Sequence, residues 1–254
     1  MDVQSSRRGF GLDAHRFVNS EAGRAVNLRG INAGGVGVGD DSPGRSNHRG
    51  AAHLLISAHA YRDRHRSPGG IGAATASDLA RWGWRVFGFD LRAGESNLVS
   101  SDLAGFGGSI EPIRVDVTDR AAVEAAVAAV LAATGGTLDA VVANAGVRVA
   151  GAFEETPFAE VRRLFEVNLG GVMHVTRAAL PALRATEGSR VVVVSSVGGL
   201  SALPGLAAYC GSKWAVEGWA ESLAHELQPL GVGVALVEPA SVRTGLWDLG
   251  TVPR

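Results

Sequence analysis

Arg190-Val191-Val192-Val193-Val194-Ser195-Ser196 is a short, unbroken apolar run that ends in two hydroxyls, and thirteen residues past Ser196 the chain reads Tyr209-Cys210-Gly211-Ser212-Lys213. The first stretch has the length and the β-branched content of a strand buried on both faces, as strands of parallel sheets are. In the second, Tyr209, Lys213, Val216, Ala220, Leu223 and Leu227 recur with the period of a helix and share one face. A buried strand followed by such a helix is half of a βαβ unit. The question is whether the alternation continues outward.

It does. Strands are predicted at His53–Ser57, Trp84–Phe89, Ile110–Val115, Leu138–Ala143, Arg190–Ser195 and Val232–Val237, and helices at Ile71–Trp82, Asp119–Ala133, Pro157–Arg184 and Leu206–Gln228. Thr156-Pro157 reads as a capping hydroxyl before a proline at the first helical position. The fold class is α/β: a doubly wound parallel sheet, a Rossmann fold, in a single domain over residues 51–254. Residues 1–50 are rich in Gly, Arg, Ser and Asn and hold no sustained period, so they are expected to be a disordered or loosely attached extension. Their glycine-rich stretch, Asn32 to Gly39, lacks the strand before it and the helix after it that a phosphate loop needs.

With 254 residues, 46% hydrophobic and 19% charged, the chain can bury one large core. A formal net charge of -1 leaves no electrostatic footprint for nucleic acid or an anionic membrane. The single cysteine excludes an intrachain disulfide and suits a reducing cytoplasm, and no metal site is expected. Ser6-Arg7-Arg8-Gly9-Phe10 has the look of a twin-arginine export signal, but Asp13-Ala14-His15-Arg16 interrupts the apolar region that should follow. No run is long enough to span a bilayer.

Tyr209 and Lys213, at i and i+4, meet on one helix face, where an ammonium can hold a phenol's pKa down; that is a proton-transfer geometry. A core aromatic beside a snorkelling lysine would give the same bare pattern. Ser196, at the end of the strand before it, favours chemistry. Gly69-Gly70-Ile71-Gly72 opens the first helix and Asp90 closes the next strand, 18 residues after Gly72. That places glycines where a pyrophosphate approaches a helix N-terminus and an acid where ribose hydroxyls lie, although a glycine cluster alone is also an ordinary turn. Asp90 would repel a 2'-phosphate, favouring NAD over NADP, with Arg92 softening the preference. Asn144-Ala145-Gly146 ends the fourth strand either as a plain turn or as a close approach to a ligand. Asn168 falls on the buried stripe of Val161, Leu164, Phe165 and Val172, as a satisfied core amide or as a member of the site.

Together these residues resemble the short-chain dehydrogenase/reductase family from about Leu54 to Asp248. The resemblance implies a catalytic tetrad of Asn168, Ser196, Tyr209 and Lys213. It implies cofactor contacts from Gly70, Ile71 and Gly72, from Asp90, from Asp116 and Val117 at the adenine end, and from Asn144, Ala145 and Gly146. Pro239, Val242 and Thr244 would flank the nicotinamide, with Tyr209 and Lys213 also touching the cofactor. The implied activity interconverts a secondary alcohol and a ketone with NAD or NADP, on a small and possibly lipophilic substrate such as a steroid or retinoid. The implied assembly is a homodimer or homotetramer through Pro157–Arg184 and Leu206–Gln228.

Three departures from the family pattern stand out. The phosphate loop carries His65 and Arg66 where Thr and Gly belong, or, aligned on the strand, Ser57 and Ala58 there with about eight extra residues before the glycines, including the insert Ala60 to Arg66. Ala240 replaces a Gly after Pro239. The sequence ends ten residues past Thr244, where a substrate loop and a last strand are expected, so the sixth strand is expected to be a bare edge. The alternative reading is a catalytically silent member with impaired dinucleotide binding.

Overall fold

The computed structural model describes residues 16–20, 24–30, 52–57, 70–91 and 107–242. Its strands are β1 (Arg16–Ser20), β2 (Arg24–Gly30), β3 (His53–Ser57), β4 (Arg85–Asp90), β5 (Ser109–Arg114), β6 (Ala140–Ala143), β7 (Arg190–Val194) and β8 (Gly233–Pro239). They form one sheet in the order β1-β2-β8-β7-β6-β3-β4-β5. The six strands from β3 to β8 run parallel, as expected of the doubly wound class.

The helices are α1 (Gly70–Arg81), α2 (Arg120–Ala133), α3 (Phe158–Phe165), α4 (Val172–Ala185) and α5 (Ala207–Leu227). Strand residues alternate between two apolar layers. Leu54, Ile56 and Val86 pack with Ala76 and Ala80 of α1, while Leu55, Phe87 and Phe89 join the larger core that contains residues of α2, α4 and α5. With both faces covered, the strands read as continuous apolar runs rather than alternating ones. The chain reverses direction across the sheet between β3 and its neighbours β4 and β6, so the carboxyl ends of β3 and β6 open onto the crevice where such sheets bind ligands.

Three expectations are corrected. Residues 16–20 and 24–30 do not stay apart from the sheet: β1 and β2 pair antiparallel, and β2 pairs with β8 from Val26–Pro239 to Gly30–Ala235, while the rest of the expected extension over residues 1–50 lies outside the described residues. Strand β8 is therefore not a bare edge. Its outer row of N–H and C=O groups needs partners, and a segment with no helical period can supply them. The single helix predicted over Pro157–Arg184 is divided by a π-helical turn, Glu166–Gly171, that lies between α3 and α4. Such wide turns accommodate one extra residue, and periodicity does not reveal them. Pro157 is the cap of α3, and the Thr156 hydroxyl donates to the Ala152 carbonyl at 2.9 Å instead of capping the helix.

Candidate active site

The crevice floor is built from backbone held by buried side chains. Ser57, the last residue of β3, accepts from the amides of Asn144 and Ala145 at 3.2 and 3.4 Å, which fixes the turn leaving β6. Asn168 sits on the π turn with no exposed surface. Its Oδ1 accepts from the Val147 amide at 2.7 Å, and its Nδ2 donates to the Val147 carbonyl at 2.9 Å and to Ser212 Oγ at 3.0 Å. Ser212 in turn donates to the Tyr209 carbonyl at 2.7 Å. Asn168 thus ties the loop after β6 to the first turns of α5.

Ser196 follows β7 and opens a tight 3-10 turn over Val197–Gly199, its Oγ accepting from the Gly198 amide at 3.1 Å. That turn lies flat on α5 because glycine occupies it: a Cβ on Gly198 would come 3.3 Å from the Tyr209 ring and 3.4 Å from Cys210 Sγ. The Ser196 hydroxyl stands beside the Tyr209 phenol and draws its pKa down. Lys213, one turn along α5, is buried and donates from Nζ to the Val194 carbonyl at 2.9 Å. Gly146 lies beneath this group; a Cβ there would be 3.4 Å from Asn168 Oδ1 and 3.7 Å from Lys213 Nζ. The four residues Asn168, Ser196, Tyr209 and Lys213 are therefore brought together.

The electrostatics differ from the sequence expectation. Burial pushes the Tyr209 phenol up, and the groups that draw it back are the Ser196 hydroxyl and the Arg148 guanidinium. Lys213, expected to supply that pull, has its Nζ bonded to the Val194 carbonyl. Burial also pushes the Lys213 ammonium down to about 8, against the field of Glu217, which raises it.

On the other side of the crevice, Gly70 starts α1 in the left-handed region with φ of 38°, followed by half-buried Ile71 and buried Gly72. Asp90 closes β4 and is buried. Asp116 and Val117 follow β5: Asp116 Oδ1 accepts from the Thr118 amide and hydroxyl at 2.9 and 2.7 Å, and the Val117 carbonyl meets His174 Nδ1 at 3.0 Å. Pro239 ends β8, with Val242 half-buried beyond it. Thr244, Gly69, Arg92 and the insert from Ala60 to Arg66 lie outside the described residues. Among the described residues no cluster of His, Cys, Asp and Glu could hold a metal ion, and no helix is long and apolar enough to cross a membrane.

Sequence reasoning missed Ser212, Gly198, Arg148 and Glu217, and placed Ser57 only as a candidate phosphate-loop residue, not as the anchor of the turn after β6. Only Glu217 carried a signal in the sequence: a charged residue four positions past Lys213, beside a stripe of core positions. The others act through single hydrogen bonds, close packing or charge that depend on the tertiary fold, which periodicity does not report.

Residues 67–249 match the short chain dehydrogenase family. An uncharacterized oxidoreductase, YusZ, of Bacillus subtilis is 41% identical over 140 residues, covering 55% of this chain and 49% of its own. The 17-beta-hydroxysteroid dehydrogenase type 1 of Mus musculus is 40% identical over 141 residues, covering 56% of this chain and 40% of its own. The chain thus spans about half the length, or less, of these curated relatives. A short chain dehydrogenase/reductase of Burkholderia phymatum, solved in complex with NAD, superposes with a TM-score of 0.68 at 30% identity, covering 78% of this chain and 68% of that one.

Proposed function

The chain belongs to the short chain dehydrogenase family, an oxidoreductase family, and from that premise we propose that it interconverts a secondary alcohol and a ketone with a nicotinamide dinucleotide. The observation that carries the reading is the convergence of the Tyr209 phenol, the Ser196 hydroxyl and the Lys213 ammonium at the carboxyl ends of parallel strands.

The residues present fit such a cofactor. The N-terminus of α1 at Gly70 suits a pyrophosphate, and Asp90 at the end of β4 suits ribose hydroxyls and favours NAD over NADP. Asp116 and Val117 would border the adenine. Asn144, Ala145 and Gly146 would let the nicotinamide half approach, and Pro239, Val242 and Thr244 would flank it. When bound, the nicotinamide supplies or accepts the hydride. In reduction Tyr209 gives its proton to the carbonyl oxygen that Ser196 holds, and in oxidation it takes that proton back. Ser196 and Arg148 draw the phenol down, while Lys213, its ammonium pushed down only to about 8, would hydrogen-bond the nicotinamide ribose. Asn168 and Lys213 converge above Gly146, which supports a role for Asn168 in holding a water that connects Lys213 to solvent.

The likeness to a hydroxysteroid dehydrogenase supports a lipophilic small-molecule substrate. Exposed Phe158 and Trp214, on α3 and α5, support pairing of two copies through those helices, as a homodimer or within a homotetramer. A cytoplasmic setting is consistent with the single, unpaired Cys210. Fluorescence titration of the purified chain with NADH and NADPH tests the cofactor reading: saturable binding, tighter for NADH, is expected, and no binding of either at millimolar concentration would overturn it.

A further inference from the structure

Lys213 is the single lysine of the chain; every other basic side chain among its 24 Lys and Arg residues is arginine. Only 4% of it is exposed, and burial of an ammonium favours its neutral form. A site that relies on a charged lysine in such a place needs a counter-charge buried with it. Glu217 follows one turn later on α5 and is 7% exposed, four residues on from Lys213 and so its neighbour on the helix, and its field favours the charged ammonium. Its seat is specific: a Cβ on Gly199 would fall 2.9 Å from Glu217 Oε1 and 2.8 Å from Ser195 Oγ, so only glycine at that point of the Ser196 turn admits the carboxylate.

We propose that Glu217 is a positioning residue for Lys213: its buried carboxylate, seated against Gly199, anchors the ammonium end of the Tyr209–Lys213 pair and extends the site one helical turn to Tyr209-Lys213-Glu217. The inference rests on the proton-transfer reading given above, and it adds a residue that does not touch substrate. The charge on Lys213 is then set by two adjoining elements, since the turn after β7 forms the seat and α5 supplies the charge.

Other groups surround Lys213. From the end of β7 the Val194 carbonyl accepts from its Nζ, from the π turn Asn168 Oδ1 meets it at Gly146, and Tyr209 precedes it by one turn on α5. The loop after β6 brings Arg148 to Tyr209. Strand β8 carries the fully buried Glu238 on the same face as Val234 and Leu236, which belong to the core shared with α5. Glu238 is the rival counter-charge, and the test includes it.

Because the lysine is unique, lysine labelled with 13C and 15N at its side-chain terminus gives one signal from the full chain, and its titration needs no substrate. Glu217→Gln, nearly isosteric, is expected to move the Lys213 midpoint to lower pH by about 1 unit, while Glu238→Gln moves it less. Gly199→Ala, which displaces the carboxylate and keeps the charge, is expected to shift it in the same direction. If reduction of a ketone is followed in parallel, its alkaline limit should move down with the midpoint in Glu217→Gln, whereas a purely structural role would lower the rate equally at all pH values. An unmoved midpoint in both Glu217→Gln and Gly199→Ala, or a larger shift in Glu238→Gln, overturns the proposal. Absence of NADH turnover by the unaltered chain would count against the functional reading and leave the titration to decide this one.

Discussion

Asn168 and Val147 hold each other twice, the Val147 amide donating to Asn168 Oδ1 at 2.7 Å and Asn168 Nδ2 donating to the Val147 carbonyl at 2.9 Å. The π turn makes this possible. It places a fully buried amide against the loop leaving β6, where a regular helix would keep its own register.

Replacing that amide leaves buried backbone groups unpaired. Asn168→Ala should cost about 3 kcal/mol of stability, because the Val147 amide and carbonyl and the Ser212 hydroxyl all lose a partner in the interior. Asn168→Asp should cost no less, because its second carboxylate oxygen cannot donate and would be buried against the Val147 carbonyl. Urea unfolding of the two variants checks the order, and equal stability of Asn168→Ala and the parent chain would mean that the clasp contributes nothing.

Gly146 is the point where Asn168 and Lys213 come nearest to the loop. In Gly146→Ala the added methyl would stand 3.4 Å from Asn168 Oδ1 and 3.7 Å from Lys213 Nζ, filling the close space that the loop leaves between these polar groups and an approaching cofactor. The expected result is a loss of about 1 kcal/mol in stability and roughly tenfold weaker NADH binding. Calorimetric titration would read both the affinity and, through unfolding, the stability.

How much of this was legible in the sequence follows from what periodicity encodes. The apolar runs from His53 to Val237 located all six parallel strands to within two residues, because burial on both faces leaves a strand nothing polar to carry. Tyr209, Lys213 and Ser196 were legible because a helix stripe and a strand end fix their spacing. Gly198, Ser57 and Ser212 were not, since their work is to shape or hold backbone at turns, and the same residue types occur in any loop. The pairing of β1 and β2 with the sheet was missed because it depends on the free edge of β8, more than 200 residues away in the chain.

The buried lysine should leave a mark on stability. Its folded value is pushed down to about 8 from an ordinary 10.5, so between these pH values the unfolded chain binds more protons than the folded one. Stability from this group therefore rises with pH across that window, and below it the cost of burying the charge is present in full. The stability of Lys213→Met relative to the parent chain should fall by up to about 3 kcal/mol from pH 8 to 10.5, in unfolding curves run side by side. Parallel curves would contradict the shift.

Asp90, buried at the end of β4, is expected to select between cofactors. In Asp90→Ala the preference for NADH over NADPH should relax by about tenfold, chiefly through tighter NADPH binding. Unchanged relative affinities would place the ribose elsewhere.

The most direct test of the account is NADH-dependent reduction of a panel of lipophilic ketones by the chain and by Tyr209→Phe. The account predicts turnover by the parent chain and a loss of at least about 100-fold in kcat for Tyr209→Phe with NADH binding retained, because only the proton donor has been removed. Turnover that survives Tyr209→Phe undiminished would contradict it.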